Sequence, residues 1–395
     1  MSLPADGLLQ LSAEGLHCPA AGVWIDPWRP VPEALITHAH ADHARPGSGR
    51  YWAIGSAEGI LRRRLGAGIQ LQTLSYGQTI KRGGVRFSFH SAGHVLGSAQ
   101  ILVEGGGERW LVSGDFKRQH DPSCAPFTPV RADVLISEAT FGLPIYHWQE
   151  PALVVQDVLA WWRGAPDRPS VVFCYAFGKA QRLLAELHAA GVEDEVLLHG
   201  AVQALMDPYR KAGVAMPPTR PLAELARDTT LAGRLVLAPP AAQGSSWMRR
   251  LRGAQCGLAS GWMAVRGARR RRAGCRGFVL SDHADWSGLV QTARESAARQ
   301  VLLNHGQGEH LARYLREEMG IDCELVAAGQ RDDPDADLIT DGISTAALAG
   351  GHPGSDDESM ANGSANDARP TEQRQGAASV VQKGGSEATF SARLP

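Results

Sequence analysis

Along its first third the chain sets short apolar runs between turn residues. GLHCPAAGVWID, Gly15 to Asp26, shows the plan: side chains alternate across a strand, so each run offers a buried face before Gly, Pro or Asp ends it. We read Leu8 to Ile36 as strands of a β-rich layer, ending in Ala34-Leu35-Ile36. Ser56 to Leu65 has helical spacing, and Val85 to Phe89 alternates again as a strand. Trp110-Leu111-Val112 predicts another strand, and ADVLISEATFG a buried one. Further on the rhythm changes. Val154 to Trp162 is helical, SVVFCYAFGKAQRLLAEL is a strand, a glycine turn and a helix, EVLLHGAVQAL repeats that plan, and GRLVLAPP adds an apolar strand. Repeated strand-turn-helix units predict a parallel sheet covered by helices. QVLLNHGQGEHLARYLREEMG then reads as strand, turn and amphipathic helix.

Composition changes this picture in three places. From Arg331 onward the residues are mainly small and polar and cannot bury enough surface to offset ordering, so a disordered tail is expected. That tail carries eleven acidic and five basic residues; a net charge of -1 for the whole chain therefore leaves about +5 on the body, compatible with an anionic partner. No apolar run approaches the length of a membrane span, and no basic stretch followed by an apolar one opens the chain, so the expected setting is the cytoplasm, without membrane contact. The six cysteines, Cys18, Cys124, Cys174, Cys256, Cys275 and Cys323, contain no C-x-x-C pair and read as reduced thiols rather than a disulfide scaffold or zinc ribbon.

The densest chemistry is THAHADHARPG, Thr37 to Gly47, which holds His38, His40, Asp42 and His43. In an extended segment His38 and His40 point the same way, and Asp42 with His43 can fold round to face them. Three imidazoles and a carboxylate favour zinc, with manganese or iron where more oxygen is supplied. The plain alternative is a polar loop that happens to be rich in histidine. A second candidate is Phe177-Gly178-Lys179, which opens a helix: free backbone N–H groups with the Lys179 charge could hold a phosphate, although an ordinary strand-to-helix turn looks the same. A third is the arginine-rich stretch with Arg249, Arg250, Arg252, Arg266, Arg269, Arg270, Arg271, Arg272 and Arg276. Its guanidinium groups suit phosphates, and Trp247 and Trp262 could stack on bases; a solvated basic loop is the alternative.

The H-x-H-x-D-H stretch, just after a core strand, resembles the signature of the metallo-β-lactamase superfamily, and the resemblance implies further ligands downstream. His94, in the Gly-rich turn SAGHVLGSAQ, matches the next histidine ligand, and Asp115, in SGDF at a strand end, the carboxylate that bridges two cations. Asp26 matches an aspartate that holds the ligand loop in such proteins, though a turn residue before Pro27 is an equal reading. Glu138 in SEATFG, His283 in SDHAD and His305 in NHG resemble the three motifs of the β-CASP branch, whose members process nucleic acids. The likeness covers roughly residues 8 to 330. It implies an α/β fold, an αββα sandwich with an inserted β-CASP α/β domain. The parts would be 1–143 and 276–330 for the sandwich, 144–275 for the insertion and 331–395 for the acidic tail.

The resemblance implies two zinc ions, or manganese. One would be held by His38, His40, His94 and Asp115, the other by Asp42, His43, Asp115 and His305. Hydroxide would attack phosphorus in line, and His283, oriented by Glu138, would protonate the leaving oxygen. Asp42, Glu138 and His283 are thus the candidate catalytic residues, and Lys179 with Arg266, Arg269, Arg270, Arg271 and Arg272 the candidate nucleic-acid contacts. An Asp282 or Asp285 that caps the following helix is compatible with this. HAHADHARPGS, SGWMAVRGARRRR and GFVLSDHADW further resemble bacterial ligase-associated DNA exonucleases, which implies DNA repair beside a DNA ligase and a helicase. A histidine at the third motif, His305, is typical instead of RNA-processing members. A small-molecule metallo-hydrolase such as a thioesterase, and a non-catalytic scaffold, are the remaining alternatives.

Overall fold

The computed structural model describes residues 7–265 and 274–326, with the His305 side chain outside that description. The arginines Arg266, Arg269, Arg270, Arg271 and Arg272 and the expected tail from Arg331 also lie outside the described residues.

The first sheet runs in chain order: β1 (Gln10–Leu11), β2 (Leu16–Cys18), β3 (Val23–Ile25), β4 (Glu33–Leu35), β5 (Arg50–Ile54) and β6 (Leu71–Leu74). The second takes β7 (Thr79–Arg82), β8 (Val85–Ser91), β9 (Ala99–Gly105), β10 (Glu108–Val112) and β11 (Val134–Ala139). It then adds two strands from the far end of the chain, β18 (Gln300–Gly306) and β19 (Asp322–Leu325). Its order is β19-β18-β11-β10-β9-β8-β7, antiparallel from β7 to β10 and parallel from there to β19.

Alternation decides how these sheets stack. Ile101, Val103, Trp110, Val112, Val134, Ile136 and Leu302 point to one core, shared with Leu16, Ile25 and Leu35 of the first sheet. The residues between them, Leu102, Leu111, Leu135, Val301 and Leu303, point to the opposite core, closed by Leu289, Ala293, Leu311 and Leu315 of the helices Trp286–Ser296 and Gly308–Glu317. On the outer face of the first sheet, Ile60 and Leu61 of α1 (Glu58–Leu65) pack against Ala34, Tyr51 and Leu71. Helix, sheet, sheet, helix is the αββα order expected from the sequence.

Between β11 and β18 the chain builds a third sheet from β12 (Ser170–Phe173), β13 (Val196–Leu198), β14 (Thr219–Pro221), β15 (Leu235–Ala238), β16 (Gln255–Ala259) and β17 (Cys275–Phe278). All neighbours are parallel, in the order β14-β13-β15-β12-β16-β17. Both faces are covered, so its central strands are continuously apolar. Val172, Leu198, Leu235 and Leu237 meet α2 (Pro151–Arg163) and α3 (Lys179–Ala189), whereas Val171, Phe173, Val236 and Leu258 meet Leu222, Leu251 and Met263 of short 3-10 turns. Helices therefore cover one face and turns the other. The last strand, β17, runs across the 275/276 division expected from the sequence. No helix among the described residues is long and apolar enough to cross a membrane.

Candidate metal centre

The loop after β4 brings His38, His40 and His43 into the protein, each buried. The turn between β8 and β9 adds His94, and the segment after β10 adds Asp115. All enter from strand ends on one edge of the sandwich. Gly114 makes the last of these entries feasible: its φ is +55°, and a Cβ there would lie 2.7 Å from the Thr37 side chain.

His38 Nε2 and His94 Nε2 each lie 3.1 Å from His40 Nδ1. Asp115 Oδ2 is 3.4 Å from His38 Nε2 and 3.8 Å from His94 Nε2. Donors about 2.0–2.1 Å from a tetrahedral zinc are separated by about 3.3–3.4 Å, so these residues fit that ion. The other oxygen of the same carboxylate, Asp115 Oδ1, is 3.3 Å from His43 Nε2, which is itself 3.3 Å from Asp42 Oδ2. Asp115 thus offers one oxygen to each of two groups able to hold a metal, His38-His40-His94-Asp115 and Asp42-His43-Asp115. Asp42 Oδ1 is buried with no hydrogen-bond partner among the described residues, as a waiting ligand oxygen would be.

The convergence is set from behind. Each imidazole has its second nitrogen against an acceptor: His38 Nδ1 at Thr37 Oγ1 (3.1 Å), His40 Nε2 at the Phe177 carbonyl (3.3 Å), His43 Nδ1 at Asp26 Oδ2 (2.7 Å) and His94 Nδ1 at the Asp282 carbonyl (2.7 Å). A proton on those outward nitrogens leaves the inward lone pairs for a cation. Asp26, at a left-handed φ of +45°, also accepts the Thr37 backbone N–H (2.8 Å) and hydroxyl (2.5 Å). Charge state follows the same logic. Burial lowers the pKa values of His38, His40 and His94, which keeps them neutral, the form that binds metal. For Asp42 and Asp115 burial pushes upward, but the facing His43 and His38 outweigh it and hold both carboxyls below the usual range.

Glu138 and His283 stand beside this cluster. Glu138 ends β11, accepts the Phe116 N–H (2.7 Å) and the Thr140 hydroxyl (2.5 Å), and meets His283 Nδ1 at 2.9 Å. The His283 ring lies 4.7 Å from that of His94. The backbone register of β11 and β18 pairs His305 with Glu138. Asp285 caps the helix Trp286–Ser296 by accepting the Gly288 N–H (2.8 Å).

Several supporting residues left no sequence signal. Arg182, on α3, is 0% exposed; it donates to the Ser281 carbonyl and to Gln119 (2.8 Å), with Asp121 3.7 Å away and Asp282 3.9 Å away. Lys117 pairs with Asp121 and donates to the His94 carbonyl (3.3 Å). A pattern of charges in a helix or turn cannot announce that the insertion will bury them. Lys179 needs a correction for the same reason: its side chain is 2% exposed with the ammonium 3.6 Å from Asp282, so it belongs to this buried ionic group and is not a surface phosphate contact. Gly178 brings the two lobes together there, at φ +94°, where a Cβ would lie 2.5 Å from Val95. In the basic stretch, Arg250 holds the carbonyls of Leu222, Leu225 and Ala226, and Arg276 pairs with Asp157 at 2.7 Å. Trp262 packs against Phe141, 4.7 Å away, and Trp247 against His199, 4.8 Å away.

No family model matches the chain. A protein from Opitutus terrae named probable DNA ligase is 34% identical over 309 residues, 77% of this chain and 30% of that protein. Endoribonuclease YSH1 of Mycosarcoma maydis is 31% identical over 152 residues (29% of this chain, 17% of that protein). Cleavage and polyadenylation specificity factor subunit 3 of Dictyostelium discoideum is 37% identical over 140 residues (33% and 17%). The chain thus matches less than a third of the length of each. Among solved structures, a protein of unknown function from Enterococcus faecalis V583 shares the fold, with a TM-score of 0.53 at 12% identity over 76% of this chain and 80% of that one. With an αββα sandwich, a parallel inserted sheet and the candidate ligands at strand ends on one edge, the chain has the fold of a metallo-β-lactamase protein with a β-CASP insertion, and part of it is similar to the nucleases named above.

Proposed function

We propose that the protein is a metal-dependent phosphodiesterase that shortens DNA strands from an end, in the context of repair in the cytoplasm. The observation that carries this reading is the split Asp115 carboxylate, with His38, His40 and His94 on one oxygen and Asp42 with His43 on the other, next to the Glu138–His283 pair. Two divalent ions held this way, zinc by donor type and manganese as the alternative, would polarise a phosphoryl oxygen and render water nucleophilic near neutral pH. His305 is the further ligand proposed for the second of them.

The protein's own groups do the rest. Glu138 accepts the His283 Nδ1 proton and so turns the other ring nitrogen towards the reacting centre, where it delivers a proton to the departing oxygen. The outward acceptors fix the ligand rings; the insertion supplies the Phe177 carbonyl, and the loop after β17 supplies the Asp282 carbonyl. The Arg266–Arg272 stretch is proposed to grip the strand through phosphate contacts, with the salt dependence that implies. The division into 1–143, 144–275 and 276–330 is proposed on the same grounds. The ligase named for the Opitutus terrae relative supports DNA and an association with a DNA ligase; a helicase is proposed as a further associate from the sequence resemblance alone. RNA is the second reading, supported by the names of the endoribonuclease and polyadenylation-factor relatives.

The deciding experiment compares matched DNA and RNA single strands, labelled at either end, with wild type and with His283→Ala. Metal-dependent shortening of DNA, reduced by about 10²–10⁴ in His283→Ala, is expected. Cleavage of RNA alone would replace the DNA reading, and hydrolysis of thioesters with neither strand touched would overturn both.

A further inference from the structure

Two cysteines lie side by side at the edge of the inserted sheet. Cys256 of β16 and Cys275 of β17 are Cα partners in the parallel register, and β17 is the last strand of that sheet. Partners in register turn their side chains to one face. Here it is the face covered by 3-10 turns, where Cys256 packs against the core that holds Leu251 and Leu258. Gln243, just past the turn Pro240–Ala242, donates to Cys275 Sγ on that face at 3.2 Å. We propose that Cys256 and Cys275 form a dithiol site that takes a hydroperoxide and closes to an intramolecular disulfide. None of the residues involved belongs to the metal centre.

Reach is the first requirement. Neighbouring strands lie about 4.7–4.9 Å apart, inside the Cα separation of about 4.4–6.8 Å that a disulfide spans, so closure needs side-chain rotation and little backbone movement. Reactivity is the second. A hydrogen bond from the Cys275 thiol pulls the Cys256 pKa down to about 7, against the burial that pushes it up. Burial moves Cys18, Cys124 and Cys323 the other way, the last to about 12. The thiolate is the form that attacks an oxidant, so near neutral pH Cys256 is ready and those three are not. Access agrees: Cys256 and Cys275 are each half-buried, whereas Cys18, Cys174 and Cys323 are buried. A structural zinc would need four ligands, and among the described residues no third cysteine, histidine or carboxylate joins this pair.

The Cys256 thiolate attacks the outer oxygen of the hydroperoxide. An S–O bond forms, the O–O bond breaks, and the departing oxygen takes a proton to leave as water or an alcohol. The Cys275 sulfur then attacks the Cys256 sulfenic acid: the S–S bond forms, the S–O bond breaks, and hydroxide leaves with the Cys275 proton as water. Two thiols lose two electrons and the peroxide gains them. The product ties the edge strand to its neighbour and closes residues 257–274 into a covalent loop, with Arg266, Arg269, Arg270, Arg271 and Arg272 among them.

The test is peptide mapping of the full chain after brief exposure to hydrogen peroxide and alkylation of the remaining thiols. Trypsin cuts after Arg252, Arg266, Arg272 and Arg276, so the bond is read as peptides 253–266 and 273–276 joined, and dithiothreitol separates them. The joined pair is expected in the wild type and in Cys124→Ser, and is expected to be absent from Cys256→Ser. In Cys275→Ser the sulfenic acid at Cys256 has no thiol beside it, and dimedone is expected to trap it about tenfold more than at Cys124. The wild-type map decides the matter even if a variant fails to fold. Conversion of Cys256 to sulfinic acid with no joined peptides, joined peptides found only in a dimer on a non-reducing gel, or a Cys256 no more reactive than Cys124 overturns the site.

Discussion

The sandwich and the insertion bury their polar groups in different ways. In the sandwich they gather at one edge, where His38, His40, His43, His94, Asp115 and Glu138 converge and would hold cations. In the insertion most sit on α3, where Lys179, Gln181 and Arg182 are buried around carboxylates and carbonyls that belong largely to the ligand-bearing loops. The difference teaches that the insertion is more than a cover. It supplies the outer hydrogen-bond acceptor of His40 through the Phe177 carbonyl, and it braces the Ser281–His283 loop through Arg182.

Four substitutions or conditions separate the two contributions. The largest effect is expected at Asp115→Asn, which weakens both groups at once. Bound metal should fall at both positions and strand cleavage should drop by about 10³ or more; normal metal content by elemental analysis would refute the bridging geometry. Next is Arg182→Leu. Removing one partner of a buried ionic group costs about 3–5 kcal/mol, read as a lowered denaturant midpoint, and zinc affinity should fall with it although no ligand is touched. Unchanged zinc affinity would reduce α3 to a stability element. A smaller and more local loss is expected for Asp26→Asn, about 10–100-fold in metal affinity at the His43 position, with the other position retained.

The smallest expected effect is of pH on the chelated protein. His38, His40 and His94 have lowered pKa values because burial disfavours their charged forms, so the unfolded chain binds protons that the folded one refuses. Their contribution is complete above the unfolded value of 6.5 and is lost as pH falls below it. The melting temperature should therefore be lower at pH 5.5 than at pH 7.5, and the difference should shrink in a His40→Gln variant.

Much of this was legible in one dimension because it depends on periods and adjacency. Alternation in Val85 to Phe89 and the apolar run Trp110-Leu111-Val112 announce strands, and the glycine-turned repeats after residue 144 announce a parallel sheet. The H-x-H-x-D-H spacing needs no partner from elsewhere to look like a metal ligand set. Asp26 was half visible: its place before Pro27 fitted a turn as well as a support, and only its contact with His43 separates the two.

By itself, then, the sequence determined which segments form strands and helices and which side chains could ligate a metal, since both depend on local order and residue chemistry. Tertiary structure alone decided that Asp115 turns one oxygen to each group and that Arg182 and Lys179 are buried supports. Those outcomes depend on distances between residues far apart in the chain, and the spacing of residues along a strand or helix carries no information about what packs against its far side.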